Sequence, residues 1–400
     1  MSNNAELKER GDAVIVGSYA RYPAAMVSGS GCKLTDANGK EYLDFLSGIA
    51  VCALGHSHPR VSETICAQAQ KLVHASNLYY TMPQIELAEL ICQHSFGEKV
   101  FFCNSGAEAN EAAIKLARIH SPKGRYKIIS LAGSFHGRTL ATVAATGQPK
   151  FHEGFEPLPS GFCYAPFGDL EALEGMVDET TCAILCEPLQ GEGGVRPLSK
   201  EYLAGIRALC DKHGILLIFD EIQTGMGRTG TMFAYQQLGI EPDIMSMAKA
   251  LGNGLPIGAM VTRSEIAAAF VPGTHASTFG GNPVASAAGV TTMKIMLEDG
   301  FLPDVLEKGA YFREQLALLA DMFPALITGS RGMGLIVAAV LTEQGISHGS
   351  AIVGDMFERG YLMNFAGNAV LRFVPPLIVT KAEIDEFVTV LTEVLKDVVL

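Results

Sequence analysis

The sequence has little of what marks a secreted, membrane-spanning or nucleic-acid-binding protein. Its nine cysteines are odd in number and include no Cys-x-x-Cys pair, which favours a reducing, cytoplasmic setting. No stretch reaches the roughly 18 uninterrupted apolar residues of a membrane span, and the polar residues 1–12 do not resemble a secretory signal. The net charge of −12 offers no basic stripe. We therefore predict a cytoplasmic protein with no membrane or nucleic-acid partner.

What the sequence does have is a large apolar fraction arranged in short runs. Hydrophobic residues make up 48% of the 400 positions, enough for one large domain and a smaller one. From about residue 97, apolar runs alternate with helical stretches, at 99–103, 126–131, 181–186, 215–219, 243–247 and 258–261. Runs of this length are typical of strands buried on both faces, so the pattern predicts an α/β fold with a mostly parallel sheet.

The two ends of the chain have a different pattern. Residues 34–45 predict a hairpin around Asn38-Gly39, a helix is expected from Asn282 to about Leu297, and residues 381–399 have the apolar spacing of a packed helix. We expect a large domain over residues 56–290 and a smaller α+β domain over 291–400. The N-terminal segment, residues 1–55, is expected to pack with the smaller domain.

Polar side chains follow five of the predicted strands. Asn104, Ser134, Glu187, Asp220 and Lys249 each stand at or just beyond a strand end. Ligands of open parallel sheets bind beyond the carboxyl ends of the strands, so these five positions predict one site.

Lys249 and Asp220 are the most informative of these residues. An amine delivered into a glycine-rich turn by an apolar strand is a nucleophile toward aldehydes, although a surface lysine is the plainer alternative. An acid at the end of so apolar a strand needs a cationic partner, which a protonated pyridine nitrogen provides. The pair indicates a carbonyl cofactor held as a Schiff base.

Ser105 and Gly106 follow a predicted strand and begin a helix. The first free N–H groups of a helix bind phosphate without a lysine. An ordinary serine-capped helix has the same local sequence, so this segment alone leaves both interpretations open.

Two further motifs are weaker. The loop Gly225–Gly230 fits the dinucleotide pattern G-x-G-x-x-G, but polar residues separate it from the strand and no acid follows at the required distance. His56 and His58, with Cys52 nearby, lack further ligands for zinc. We expect a plain glycine-rich loop and no metal.

Taken in order, these motifs resemble those of the class III, fold-type I pyridoxal-phosphate aminotransferases. The matching segments span nearly the whole chain, at 104–112, 134–139, 187–194, 220–225, 249 and 277–283. The resemblance implies a seven-stranded sheet in the large domain and pyridoxal 5′-phosphate (PLP) as the cofactor.

The resemblance also implies a role for individual residues. Lys249 binds the cofactor covalently and moves the proton, and Asp220 keeps the ring nitrogen protonated. Phe135 stacks on the ring, Gln223 reaches its phenolic oxygen, and the N–H groups of Gly106 and Ala107 hold the phosphate. The remaining expected cofactor contacts are Ser105, His136, Glu221, Ile222 and, across a homodimer interface, Thr278. Ala107 replaces the family's usual threonine and so removes one hydroxyl contact.

The resemblance implies that the substrates are an amino donor and 2-oxoglutarate. Arg138 and Arg372 are expected to bind carboxylates, with Glu192 neutralising Arg372 when the donor presents none there. Tyr19 and Ser277 complete the expected substrate contacts. The expected donor is N2-acetylornithine, while ornithine, succinylornithine, succinyldiaminopimelate and 4-aminobutyrate stay open.

Two other classes of function, a dehydrogenase and a regulatory binding module, are alternatives to the aminotransferase. A nicotinamide-linked dehydrogenase would use the loop 225–230, and an effector-binding module of a regulator would need a DNA-binding domain. The chain has neither room nor a basic patch for the latter. The sequence favours the aminotransferase.

Overall fold

The computed structural model describes residues 2–399. Its strands are β1 (Met26–Ser30), β2 (Lys33–Asp36), β3 (Glu41–Asp44), β4 (Lys99–Cys103), β5 (Lys127–Leu131), β6 (Phe162–Ala165), β7 (Thr181–Cys186), β8 (Leu189–Gln190), β9 (Arg196–Pro197), β10 (Leu216–Asp220), β11 (Ile244–Met247), β12 (Gly258–Thr262), β13 (Ile327–Met333), β14 (Ile336–Leu341), β15 (Tyr361–Leu362), β16 (Asn364–Ala366) and β17 (Val370–Phe373). Its helices are α1 (Asn4–Val14), α2 (Ser47–Ala50), α3 (Pro59–Lys71), α4 (Met82–Gln93), α5 (Gly106–His120), α6 (Leu140–Ala145), α7 (Leu170–Gly175), α8 (Lys200–His213), α9 (Ala234–Leu238), α10 (Ser264–Ala267), α11 (Pro283–Met296), α12 (Phe301–Met322), α13 (Glu343–Glu358) and α14 (Lys381–Val399).

The central sheet has seven strands in the order β4-β12-β11-β10-β7-β5-β6. All neighbours pair in parallel except β12, which is antiparallel to both β11 and β4. Every residue of β7 is buried, as the continuous apolar run predicts. The predicted α/β fold with a mostly parallel sheet is therefore confirmed, and the edge strand β6 is the one that the apolar runs did not indicate.

Strand direction brings the predicted polar positions together. Because β12 is antiparallel to both of its neighbours, β4 points the same way as β11 and as the other parallel strands. The carboxyl ends of β4, β5, β7, β10 and β11 thus share one edge of the sheet.

Two four-stranded sheets flank this core. One has the order β1-β2-β3-β15 and contains the predicted hairpin; the other has the order β13-β14-β17-β16. In the first, Tyr361 pairs with Leu43 and Leu362 with Asp44, which joins the N-terminal hairpin to the last part of the chain. The predicted domain limits stay predictions, since α11 runs through residue 290, and their outer ends Met1 and Leu400 lie outside the described residues.

A short hairpin, β8 with β9, projects from the end of β7, and Gln190 pairs with Arg196 at its tip. The five residues between them, 191–195, form a tight loop that contains Glu192. Within residues 2–399 no helix is long and apolar enough to cross a membrane.

Candidate active site

A cavity of about 340 Å³ opens at the shared strand edge. Residues that follow all five strands line it, together with Val51 from the N-terminal segment and the turn after Lys249. The strand-end group comprises Asn104, Ser105, Gly106, Ala107, Phe135, His136, Gly137, Glu187, Glu192, Asp220, Ile222, Gln223, Ala248 and Lys249. Four of the five predicted strand-end positions, Asn104, Glu187, Asp220 and Lys249, line this cavity, whereas Ser134 is buried beside it and accepts from the Gly147 N–H at 3.0 Å.

Lys249 presents its amine to this cavity from a tight turn after β11. Its backbone has a φ of +46°, in the left-handed region that non-glycine residues rarely adopt. Burial lowers the pKa of the Lys249 amine to about 8; the negative charge of Glu192 opposes this shift and the positive charge of Arg372 adds to it. A larger fraction of this amine is neutral near pH 7 than in an ordinary lysine.

Asp220 is buried and fixed by three groups. Its Oδ2 atom accepts a hydrogen bond from Asn110 Nδ2 at 2.7 Å and lies 2.8 Å from His136 Nδ1. Its Oδ1 atom accepts from the Ile222 N–H at 3.1 Å. Asn110 in turn accepts from Ser246 Oγ at 2.6 Å, so a buried chain of contacts sets the direction of the carboxylate.

Helix α5 begins at the cavity. Ser105 caps it by accepting from the Glu108 N–H at 3.2 Å, and Asn104 donates to Glu108 Oε2. A Cβ atom on Gly106 would lie 2.8 Å from Ile222 Cδ1, so a side chain there would push the helix away from β10. The N–H groups of Gly106 and Ala107 are in the first turn and have no acceptor within the helix.

Glu192 lines the cavity and forms an ion pair with Arg372, which is not itself part of the cavity wall. Arg372 Nη1 lies 2.6 Å from Glu192 Oε1, and the Arg372 side chain is fully buried. Its Nε donates to Asn364 Oδ1 at 3.1 Å, and its buried Nη2 has no partner. Burial raises the pKa of Glu192, but the charge and hydrogen bond of Arg372 outweigh burial and leave that pKa below its usual value. The carboxylate of Glu192 is therefore ionised at neutral pH.

Glu187 connects two parts of the cavity. Its oxygens accept from the Phe135 N–H at 3.0 Å and the Gly191 N–H at 3.2 Å. Burial, and next the charge of Asp220, raise the pKa of Glu187 well above its usual value. This acid holds the backbone beneath Phe135 and the loop that contains Glu192.

Six predicted site residues lie outside the cavity wall, namely Arg372, Ser277, Thr278, Arg138, Tyr19 and Glu221. Arg138 is exposed, with its guanidinium carbon 3.9 Å from the centroid of the Phe151 ring and 5.5 Å from that of Phe135, so it stands at the rim. Tyr19 is 73% exposed in the N-terminal segment. Glu221 accepts from the Ala234 and Tyr235 N–H groups at the start of α9.

Ser277 and Thr278 line a neighbouring cavity of about 500 Å³. Ser277 Oγ accepts from Asn104 Nδ2 at 3.2 Å, so one residue separates it from the first cavity. Thr278 is exposed. Neither residue touches the first cavity directly.

The two weaker motifs also have a definite place. His56 Nε2 lies 2.7 Å from Asp44 Oδ2, and among the residues that the structure describes no group of three or more His, Cys, Asp or Glu could hold a metal. The loop Gly225–Gly230 is buried beside α9.

Four residues at or beside the site were not predicted from the sequence, namely Asn110, Ser246, Asn364 and Val51. One signal for Asn110 was available, because a polar residue within the alanine-rich face of α5 needs a buried partner. Asn364 and Val51 carry no such signal, since each reaches the site only through contacts between distant parts of the chain.

The chain belongs to the class-III aminotransferases. The family profile described as "Aminotransferase class-III" matches residues 16–395. The chain is 50% identical over 388 residues to the acetylornithine aminotransferase of Caldanaerobacter subterraneus subsp. tengcongensis, which covers 96% of this chain and 98% of that protein. The resemblance inferred from the ordered motifs is confirmed.

Two solved structures are similar over almost the whole length. The N-acetylornithine aminotransferase of Stenotrophomonas maltophilia superimposes with a TM-score of 0.84 at 35% identity, covering 98% of this chain and 99% of that one. The ornithine aminotransferase of Toxoplasma gondii, in a crystal with PLP at partial occupancy, gives a TM-score of 0.93 at 31% identity and covers 98% and 94%.

The residues of the cavity fit PLP. The wall provides an amine at Lys249, a fixed carboxylate at Asp220 and free N–H groups at the start of α5. Gln223 Oε1 is a buried oxygen without a hydrogen-bond partner, available to a ligand group. Aldehyde, ring nitrogen, phosphate and phenolic oxygen each have a chemically suitable group.

Proposed function

We propose that this protein transfers the terminal amino group of N2-acetyl-L-ornithine to 2-oxoglutarate. The products are N-acetylglutamate 5-semialdehyde and glutamate, as in arginine biosynthesis. The observation that carries the proposal is the ion pair between Glu192 and the buried Arg372, whose charges both act on the Lys249 amine, because it lets one cavity accept substrates with and without a carboxylate at the same place. The identity to acetylornithine aminotransferases supports the choice of donor.

PLP is the proposed cofactor, and when bound it supplies an aldehyde for the substrate amine and a ring that accepts the electrons released on proton removal. Lys249 would hold it, with Asp220 beside the ring nitrogen, Phe135 on the ring face and Gly106 with Ala107 at the phosphate. Ser105, His136, Glu221, Ile222 and Gln223 complete the proposed surroundings of the cofactor.

The chain's own groups handle the proton. With the cofactor bound, the neutral Nζ of Lys249 would accept the proton from the substrate carbon that bears the reacting amine and pass it to the cofactor carbon that carried the aldehyde. The lowered pKa of this amine keeps part of it neutral near pH 7, which a proton acceptor requires. The contacts from Asn110 and His136 keep the Asp220 carboxylate aimed at its partner throughout.

The Glu192–Arg372 pair selects the substrate for each half-reaction. When acetylornithine binds by its amine end, Glu192 neutralises the buried guanidinium and avoids an unpaired buried charge. When glutamate or 2-oxoglutarate binds, its carboxylate takes the place of Glu192 and uses both Nη1 and the free Nη2. Arg138 at the rim would bind the far carboxylate, with Tyr19 and Ser277 near the entrance.

We further propose a homodimer in which Thr278 completes the neighbouring site. Its support is the exposure of Thr278 and of large apolar side chains near it, including Phe279 at 60%, Leu78 at 83% and Tyr80 at 94%. We propose a cytoplasmic location, which agrees with nine free cysteines.

A panel of amine donors, each paired with 2-oxoglutarate, tests the donor. We expect kcat/KM to be highest for N2-acetylornithine, parallel initial-velocity lines from two half-reactions, and a visible Schiff-base band that borohydride abolishes. Intersecting lines would contradict the two-step scheme. A rank for acetylornithine no higher than that of 4-aminobutyrate would overturn the donor and leave the family intact.

Ornithine is the second candidate donor, because the Toxoplasma gondii ornithine aminotransferase has a nearly identical fold. The same panel compares it directly with acetylornithine. Succinylornithine, succinyldiaminopimelate and 4-aminobutyrate also belong in the panel, because each carries a terminal amine and a carboxylate.

A further inference from the structure

Glu192 stands on a loop whose two flanking glycines pack closely against neighbouring segments. A Cβ atom on Gly191 would lie 1.6 Å from Gln223 Oε1, and one on Gly193 would lie 2.5 Å from the Gly133 carbonyl oxygen. Glu187 holds the Gly191 N–H from below. The loop is thus a close-packed support that presents a single long side chain.

Arg331 holds the other end of this loop. Its Nε and Nη2 atoms both donate to the Gly194 carbonyl oxygen, at 3.1 and 2.7 Å. Burial lowers the pKa of the Arg331 guanidinium, and the nearby positive charge of Arg196 lowers it further. Burying part of an arginine beside another arginine costs free energy, and here the charged group is paired only with a backbone carbonyl and not with a carboxylate.

The register of the sheet β13-β14-β17-β16 aligns Arg331 with Arg372. Arg331 pairs with Ala338, Ala338 pairs with Arg372, and Arg372 pairs with Asn364. Residues paired directly across antiparallel strands place their side chains on the same face. The two arginines therefore stand in one row, two strand spacings or about 10 Å apart, with a small alanine between them.

Residues from one row of this sheet thus contact the Glu192 loop at two points. Arg372 holds the Glu192 carboxylate at 2.6 Å, and Asn364 holds Arg372. Arg331 holds the carbonyl of Gly194, two residues further along the loop. The distance between the two contacts, that of Arg372 with Glu192 and that of Arg331 with Gly194, is set by strand spacing, which does not change when side chains rotate.

We infer that Arg331 is a positioning residue for the Glu192–Arg372 pair. By fixing the loop to the strand row that contains Arg372, it allows Glu192 to leave Arg372 by side-chain rotation while the backbone stays in place. Glu192 then returns to the same geometry after every turnover. This inference rests on the proposed function, in which the pair opens for one substrate and closes for the other.

The two half-reactions should respond differently to loss of Arg331. With acetylornithine the ion pair must be closed, so a loose loop leaves Arg372 poorly neutralised. With glutamate the pair is open and the loop contact matters less. In Arg331→Met we expect kcat/KM for the acetylornithine half-reaction to fall about tenfold relative to the glutamate half-reaction, the effect of roughly one hydrogen bond.

The test measures each half-reaction separately by single-turnover absorbance of the holoenzyme. The quantity compared is the ratio of kcat/KM for the acetylornithine half-reaction to kcat/KM for the glutamate half-reaction. Arg331→Lys keeps the charge and can donate one of the two hydrogen bonds, so its ratio should lie between those of wild type and Arg331→Met. This variant also provides the test if the methionine variant does not fold. Arg196→Met is the matched control, because Arg196 stacks on Phe167 at 3.7 Å beside the same loop. Its ratio should stay at the wild-type value.

A double variant shows whether Arg331 acts through Glu192. In a Glu192→Ala background, Arg331→Met should no longer change the ratio, since the side chain that it positions is gone. Equal losses in both half-reactions, or an undiminished effect without Glu192, would overturn the inference. Failure of wild type to use acetylornithine would instead reject the proposed donor, and the ratio can then be measured with the donor that the enzyme does use.

Discussion

At the scale of single residues, Lys249 combines two unfavourable conditions that the fold must support. Its φ of +46° lies in the left-handed region, and burial disfavours its charged form. Strain and a shifted pKa of this kind concentrate at functional sites. The surrounding strands β10 and β11 hold both, so the reactive amine depends on an intact sheet edge.

The reactivity of Lys249 should follow its lowered pKa. In cofactor-free protein, the rate of trace acetylation at this amine should rise with pH and be half-maximal near pH 8, because the amine must lose its proton to react. Mass spectrometry of the labelled peptides measures it, with the exposed Lys71 as internal control. If both amines give the same midpoint, the environment of Lys249 does not favour its neutral form.

Sequence alone identifies the residues whose chemistry is unusual for their position. Lys249 and Asp220 were predicted because a charged group at the end of an apolar strand needs a reason. The support of Asp220 by Asn110 and Ser246 was not, since those three residues come from α5, β10 and β11, and only the assembled sheet brings them together. The same holds for Asn364 beside Arg372.

At the scale of elements, α2 is unusual. Its four residues, Ser47 to Ala50, all have positive φ, between +46° and +66°. Only glycine adopts this conformation without cost, yet three of the four carry side chains. Asp44 holds the turn by accepting from the Leu46 and Ser47 N–H groups, both at 2.8 Å, and the turn leads directly to Val51 in the cavity wall.

Gly48→Ala should isolate the backbone cost of this turn. The nearest atom to a new Cβ is Val51 Cβ at 3.7 Å, so there is room for the methyl group. With φ at +65°, we expect a loss of about 1 kcal/mol in the free energy of unfolding. Urea titration of the holoenzyme measures it.

Gly175→Ala is the matched control for that experiment. Gly175 is the last residue of α7, also with no atom within 4 Å of a new Cβ and without a positive φ. Alanine there should stabilise by roughly 0.5 kcal/mol through its lower entropy in the unfolded chain. Shifts of the same sign at both positions would argue against a strained turn.

The elements themselves were predictable to different degrees. The apolar runs gave β4, β7 and β11 to within one residue; β7 and β11 are buried throughout, and the edge strand β4 is buried at its carboxyl end. The strand β6, Phe162–Ala165, is a run of only four apolar residues, three of them half-buried at the sheet edge, and it was missed. The positive φ values of α2 have no local sequence signal apart from one glycine, since Asp44 and tertiary packing impose them.

At the scale of the whole molecule, the proposed dimer can be tested by mixing defects. Lys249→Ala should abolish turnover, and Thr278→Ala should weaken cofactor binding. A purified mixed dimer of the two variants would contain one site with Lys249 and the partner's Thr278 both intact. We expect it to recover about half of the wild-type activity, one working site of two.

The same mixed dimer distinguishes the alternative. If Thr278 serves the site of its own chain, neither site of the mixed dimer has both residues. Activity then stays at or below that of the Thr278→Ala homodimer. The baseline is the activity of a mixture of the two homodimers, measured under conditions in which their subunits do not exchange.

The pairing of β3 with β15 delays the completion of the first sheet until nearly the whole chain has been synthesised. The Leu43 N–H donates to the Gly360 carbonyl oxygen at 2.8 Å, across more than three hundred residues. At ribosomal speeds of about 5–20 residues per second, the first hairpin waits on the order of half a minute for its neighbour strand to be translated. During that interval β3 offers an open edge to any other extended chain. We therefore expect the nascent chain to be most prone to association through this strand edge before residues 360–362 have been made.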